Sequence, residues 1–335
     1  MRTSILFVGA LLAGPAQAAS WCSNGHIPAN TVDRLQREVD RLAAAQPRAM
    51  ARIHTQGTLP HQGIRDQSIE AEKDLTVMRD LAMIWRAGHD GSALERLAVL
   101  LDAWAGVYQP SFNQIDETVF DKLIDAYAIT QDALPEATRN KAAQLIRAIG
   151  AGYIARMQHP PKRLPANNSQ SHRIKLATLA AVALDDAEMF NAARELFREQ
   201  IGRNLSPDGM SIDFELRDAL HYVVYDLEPL TRAAIAARTR GEEWLYLEGS
   251  NHATLASGLN WLLPYASGEK THEEYVRTTV QFDRERRDAG VGGFKGLWKP
   301  AKSADLYGMA ATLDARYLPL ARSLAAQAAW MGACW

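Results

Sequence analysis

The chain has 335 residues, with 37 Lys or Arg against 39 Asp or Glu and a formal net charge of −2. That balance gives no basis for nucleic-acid binding or for electrostatic adsorption to a membrane, although basic residues concentrated in one place can still meet a polyanion. No stretch after the N-terminus approaches the roughly 20 apolar residues that a membrane-spanning helix needs.

The first 18 residues read as a secretory signal peptide: Arg2, an apolar run over residues 5–13, a Gly14-Pro15 break and an Ala16-Gln17-Ala18 cleavage site. The expectation is a periplasmic or secreted protein, monomeric and without a membrane anchor, whose residues 19–335 form a single domain. Cys22 and Cys334 lie near the two ends of that mature chain. In an oxidising compartment they can pair and close nearly the whole chain as a loop, or they can remain two thiols at its ends. Cysteines so placed do not suggest a metal site.

From Ile27 onward almost every segment has the apolar spacing of a helix. Thr31 can cap a first helix whose apolar face includes Val32, Leu35, Val39 and Leu42, and Pro47 ends the region. Residues 52–65, punctuated by Gly57, Pro60 and Gly63, read as a loop. Its His54 and His61 are secondary candidates for lining a site. Helices are then expected over residues 69–87, 92–107, 117–132, 136–157, 169–184, 187–201, 219–239, 244–263, 272–287, 304–313 and 318–329. Ala177, Ala180, Ala181 and Ala183, and again Ala233, Ala234, Ala236 and Ala237, make faces that allow close helix packing. Only residues 210–216 and 293–298 hint at strand. The fold class is therefore all-α, an (α/α) toroid built as an incomplete barrel of antiparallel helix pairs. Such a toroid gathers loops and helix mouths around a concave surface suited to a long polymer.

Three polar stretches interrupt this apolar plan. In Q-P-S-F-N-Q-I-D-E-T, residues 109–118, helix capping accounts for Asp116 and Glu117, while Phe112 and Asn113 are free to stack on and hydrogen-bond to a sugar. In A-N-N-S-Q-S-H-R-I-K, residues 166–175, one cap needs one side chain, yet Asn167, Asn168 and His172 arrive together, with His172 one helical turn after Asn168. Arg173 and Lys175 add positive charge there. In S-I-D-F-E-L-R-D-A-L-H-Y-V-V-Y-D-L-E-P-L, residues 211–230, Arg217 precedes a helix on which Tyr222 and Tyr225 share a broad face bordered by His221. Arg217 beside Tyr222 is expected to lower the tyrosine pKa toward that of a useful base.

An amide, an imidazole, an arginine and a tyrosine, without a Ser-His-Asp set or a metal cluster, suit β-elimination at a uronic acid. The C5 proton is weakly acidic because the neighbouring carboxylate resists becoming a dianion. Donors on that carboxylate stabilise the developing charge, a base then removes the proton, and an acid protonates the departing O4.

The segments N-N-S-Q-S-H-R-I-K-L, F-E-L-R-D-A-L-H-Y-V-V-Y-D-L-E-P-L, F-N-Q-I-D-E-T and W-L-L-P-Y-A-S-G-E-K-T-H-E-E-Y resemble the alginate-lyase domain of helical-toroid polysaccharide lyases, in order and over most of the chain. The resemblance implies cleavage of β-1,4-linked polyuronate, an acidic polysaccharide, without cofactor or metal. It places Asn168 and His172 for carboxylate neutralisation, beside Arg217 and Tyr222. Ser169 stands where mannuronate lyases of this fold carry a histidine directly after the second asparagine. The spacing N-N-x-x-S-H is more similar to polysaccharide lyase family 38, with mannuronan and glucuronan lyases, and it leaves both His172 and His221 as the histidine. Asn113, Asn167, His221, Tyr225, His54, His61 and Lys270 are the expected substrate contacts. His272, Arg284, Arg286 and Lys295 are candidates for drawing a polyanion to the rim. Two other functions fit the same helices: an inverting glycoside hydrolase using Asp213, Glu215 or Glu117, and a non-catalytic periplasmic polymer-binding protein.

Overall fold

The computed structural model describes Ile27 and residues 29–160 and 164–324. The expected signal peptide, Cys22 and Cys334 lie outside the described residues. The chain runs through α1 (Ala29–Leu42), α2 (Arg65–Gly88), α3 (Gly91–Val107), α4 (Asp121–Thr130), α5 (Glu136–Gln158), α6 (Asn168–Ala183) and α7 (Ala187–Asn204). It continues through α8 (Ile212–Arg217), α9 (Leu220–Arg238), α10 (Leu255–Ala266), α11 (Gln281–Asp288), α12 (Ala304–Leu313) and α13 (Leu318–Ser323).

Side chains at the helix starts fix several of these boundaries. Asp90, Asn167, Asp186 and Ser211 each accept a backbone N–H two or three residues on, opening α3, α6, α7 and α8. Thr254 and Ser257 form a reciprocal capping box at α10.

The helices make two layers. α2, α4, α6, α9 and α12 pack each against the next as an inner row, and α1, α3, α5, α7 and α10 lie outside them, so the chain alternates between layers as it advances. This is the (α/α) toroid that the periodicity predicts. α6 shows the consequence most clearly, because every residue from Gln170 to Ala183 is buried; a helix enclosed on all sides is a core helix. The alanine faces do what their size allows. Ala177, Ala180, Ala233, Ala234, Ala236 and Ala237 have no exposed surface, and α5 comes so near α6 that a Cβ on Gly150 would lie 2.7 Å from that of Ala180.

Two buried ion pairs cross the inner row. Arg232 on α9 reaches Asp125 on α4 at 2.6 and 2.9 Å, and Lys175 on α6 reaches Asp121 at 2.7 Å. Buried charges without such partners would be strongly destabilising.

Four expectations change. Residues 244–263 are not one helix: a 3-10 turn at Trp244–Tyr246 and a bend precede α10. Residues 272–280 are an irregular strap, and only Gln281–Asp288 is helical. The strand hints reduce to single bridges, Leu205 with Ser211 and Glu273 with Leu297. Asp116 and Glu117 do not cap a helix. Asp116 accepts His54 Nδ1 and the backbone N–H groups of Thr55 and Gln56, pinning the 52–65 loop, while Glu117 takes the hydroxyls of Tyr108 and Tyr153.

Candidate active site

The stretch from Ser211 is two helices rather than one. α8 ends where Asp218 takes φ 51°, in the left-handed region, and the chain turns at once into α9. No side chain of the preceding residue caps α9. Glu274, from the strap, accepts the N–H groups of Leu220 at 2.8 Å and His221 at 3.0 Å in its place. The strap is tied to the same corner by Tyr275 N–H on the Asp218 carbonyl at 2.8 Å and by Arg277 on the Asp218 carboxylate.

This corner presents Arg217 and Tyr222 together. The Arg217 guanidinium carbon lies 3.9 Å from the Tyr222 ring centroid, a close cation–π contact. Asp213 accepts from Arg217 Nε at 3.3 Å, and both oxygens of Asp283 accept from its Nη1 at 2.6 and 2.7 Å. Asp213 also receives the Asn168 side-chain amide at 2.9 Å on each oxygen and the Asn168 backbone N–H at 2.7 Å. One buried carboxylate therefore orients Asn168 on α6 and Arg217 on α8. Glu215, a candidate acid of the hydrolase alternative, is exposed.

Tyr222 is nearly enclosed, at 9% exposure. Burial raises its pKa; Arg217 pulls it down, Asp283 pushes it up again, and Arg286 pulls it down. The net direction is upward, which corrects the expectation of a lowered value: enclosure and the aspartate that holds Arg217 outweigh the cations.

His172 sits behind the site. It is 4% exposed, its ring centroid is 4.3 Å from that of Tyr225, and its Nδ1 meets Thr118 Oγ1 at 2.6 Å. Lys175 Nζ donates to the same hydroxyl at 2.8 Å, which leaves Nε2 as the ring nitrogen outside this network. That Nε2 is buried without a hydrogen-bond partner. Burial drives the His172 pKa well below the usual value, and the ring is neutral.

His221, in contrast, opens on a cavity of about 380 Å³ that it lines with Tyr225, Glu228, Tyr275, Phe294, Lys302 and the Gly292-Gly293 pair. The protein crowded around its ring, together with Lys302, Arg217 and Arg286, pushes its pKa down to about 4. Burial raises Glu228 in the same wall to about 7.

The structure thus brings Asn168, Arg217, Tyr222, His221, Tyr225 and His172 into one cluster. The other expected contacts are spent elsewhere. Asn167 caps α6. Asn113 Oδ1 accepts from Ile115 N–H at 3.1 Å within its own turn, and Phe112 packs edge-on against Tyr153. His61 is exposed and pairs with Asp66, Lys270 lies over Tyr265 at 5.8 Å, and His272 Nε2 donates to the Asp218 carbonyl at 2.9 Å, bracing the corner. His54 is half-exposed on Asp116, two residues from the Thr118 that touches His172. Sequence reasoning missed Asp283, Glu274, Glu228, Tyr275 and Lys302. The available signal is the charge of residues 272–287, with four acids and four arginines, but that composition also suits an exposed helix.

The comparisons with known proteins agree with this architecture. Residues 23–272 match the family model for alginate lyase. An alginate lyase from Bacteroides ovatus superposes with a TM-score of 0.65 at 14% identity, covering 89% of this chain and 90% of that one. The alginate lyase A1-III from Sphingomonas species A1 gives a TM-score of 0.53 at 16% identity over 78% of this chain and 82% of that one. A tyrosine-to-phenylalanine variant of A1-III complexed with tetrasaccharide gives 0.58 at 17% identity over 76% and 79%. No match is found among curated proteins. With well over half of its length matched by that family model, the chain belongs to the alginate lyase family and is a polysaccharide lyase.

Proposed function

We propose that the protein is an exported lyase that cuts β-1,4-linked polyuronate by syn elimination, with Tyr222 as base and then acid. The observation that carries this reading is the continuous chain of contacts from Asn168 through Asp213 and Arg217 to Tyr222, beside the cavity that His221 lines. The uronate carboxylate accepts from the Asn168 amide and from an imidazole, which lowers the cost of enediolate charge at C5. His221, open to the cavity, contacts the sugar; His172, neutral and enclosed, orients Tyr225. The Tyr222 phenolate takes the C5 proton. The C5 electron pair forms the C4=C5 double bond, the C4–O4 bond breaks, and the phenol returns its proton to O4. In β-linked mannuronate the proton and the leaving oxygen lie on the same side, so one side chain reaches both.

The hydrolase alternative finds little support. Both oxygens of Asp213 are taken by Asn168 and Arg217, Glu117 is enclosed by hydroxyl donors, and Glu215 is exposed on α8. No two of these face each other across the cavity as the paired acids of an inverting hydrolase must.

Relatives named for alginate and the N-N-x-x-S-H spacing of the mannuronan and glucuronan branch point to mannuronate or glucuronate as the uronate. The test is a panel of mannuronan, glucuronan and mixed alginate followed by ultraviolet absorbance. Elimination gives a conjugated double bond at the new non-reducing end that absorbs; new reducing ends without absorbance would mean hydrolysis.

A further inference from the structure

A second arginine reaches Tyr222. Arg286 on α11 donates from Nη1 to the Tyr222 hydroxyl at 3.4 Å, and its guanidinium lies 4.1 Å from the Phe282 ring centroid and 5.1 Å from that of Phe294. It forms no ion pair with a carboxylate among the described residues. It also lies beyond the residues matched by the family model, which end at position 272.

We propose that Arg286 is a positioning residue that holds the oxygen of Tyr222 in its ionised form for proton abstraction, while Arg217 acts from beneath the ring. The inference rests on the reading of Tyr222 as base and acid. A phenolate in an enclosed site needs net positive charge at its oxygen. Arg217 faces the ring rather than the oxygen, and its single charge is already shared by Asp213 and Asp283. Arg286 points at the oxygen with its charge uncommitted, and the two phenylalanine rings that flank it limit competition from water.

Arg217 also favours the phenolate, but from beneath the ring and against the opposing charge of Asp283. Asp213 and Arg217 face it from α8, and Asp283 faces it from α11. Tyr275 stands edge-on from the strap, and His221 and Tyr225 flank it on α9, all three without charge near neutrality. Lys302, from the turn before α12, acts on His221 across the cavity. Removing Arg286 therefore leaves the phenolate with only an arginine whose charge is already balanced.

The experiment compares wild type, Arg286→Met, Arg286→Lys and Tyr222→Phe. It reads kcat and KM against pH on a polyuronate that wild type turns over, together with an ultraviolet difference titration of each protein against Tyr222→Phe. The titration reports Tyr222 ionisation without substrate. In Arg286→Met, which keeps the apolar stem between the phenylalanines, both the ascending limb and the titration should move up by about one pH unit, with about tenfold loss of kcat/KM at neutral pH. KM should hold, and Arg286→Lys should recover most of the loss. Circular dichroism checks each fold, and Arg286→Gln is read instead if the methionine variant does not fold. A slower enzyme whose limb and titration stay at the wild-type pH would overturn the proposal and assign Arg286 a structural role. If Tyr222→Phe keeps turning over substrate, the Tyr222 assignment itself falls and the Arg286 proposal with it. If Tyr222→Phe is inactive and Arg286→Met titrates as wild type, only the Arg286 proposal falls.

Discussion

Asp213 accepts from Nε and Asp283 from Nη1 of Arg217, and neither aspartate has any exposed surface. Asp213 carries a second duty, since it also takes the Asn168 amide. Loss of Asp283 leaves Arg217 half-buried with its short bidentate contact gone. Asp283→Ala should therefore lower stability by about 3 kcal/mol, the cost of breaking a buried pair on one side, and should lower kcat as Arg217 leaves the Tyr222 ring. A denaturant titration together with a turnover assay checks this. The motif residues were legible at this scale because Asn168, Arg217 and Tyr222 stand in dense local strings whose polarity capping alone does not explain. Asp283 was not legible: it pairs with Arg217 across 66 positions of sequence, and no local pattern encodes a partner so distant. The direction of the Tyr222 pKa was not legible either, because the local string shows neither the burial of the ring, which raises the pKa most, nor the distant Asp283 that adds to it.

The strap at residues 272–280 and α11 show what an element can do without regular structure. Glu274 supplies from outside the cap that α9 lacks, satisfying the two N–H groups that lead directly into His221 and Tyr222. The start of a helix leaves such donors unpaired and carries positive potential, so a carboxylate there stabilises it. Glu274→Ala should cost about 1 kcal/mol, as loss of a helix cap does, and should lower kcat more than it raises KM, because the frayed turn holds the reacting side chain. Steady-state kinetics beside a thermal melt separates the two effects. Helical apolar spacing predicts one helix over residues 272–287. Their backbone instead follows Asp218 and Leu216, whose carbonyls accept from Tyr275 and Thr279. Tertiary hydrogen bonds displaced the local preference.

Over the whole molecule, the two-layer plan was readable because apolar periodicity is a property of each segment and survives assembly. What assembly adds is a set of enclosed carboxyls: burial raises Glu72 to about 7, Asp80 to about 6, Asp226 to about 8 and Glu228 to about 7. A raised folded pKa means that the folded state holds protons the unfolded chain, near 4, has released, so this stability is present at low pH and is lost as pH rises through the folded values. His172 and His221 shift the other way and cost stability only below the unfolded value near 6.5. Between pH 6.5 and 9 the carboxyls therefore act alone among these groups, and the melting temperature should fall by roughly 2 °C or more. Calorimetry across that range would refute the assignment if the melting temperature rose.

All of these contacts converge on one side chain. On whichever polyuronate wild type cleaves, Tyr222→Phe should abolish ultraviolet-absorbing product, with a loss of roughly a thousandfold or more in kcat, while isothermal titration shows oligosaccharide bound as tightly as before. A phenylalanine variant that still produces unsaturated uronate at a comparable rate would contradict the account, and the base would have to be sought among the side chains that line the cavity, such as His221 or Tyr225.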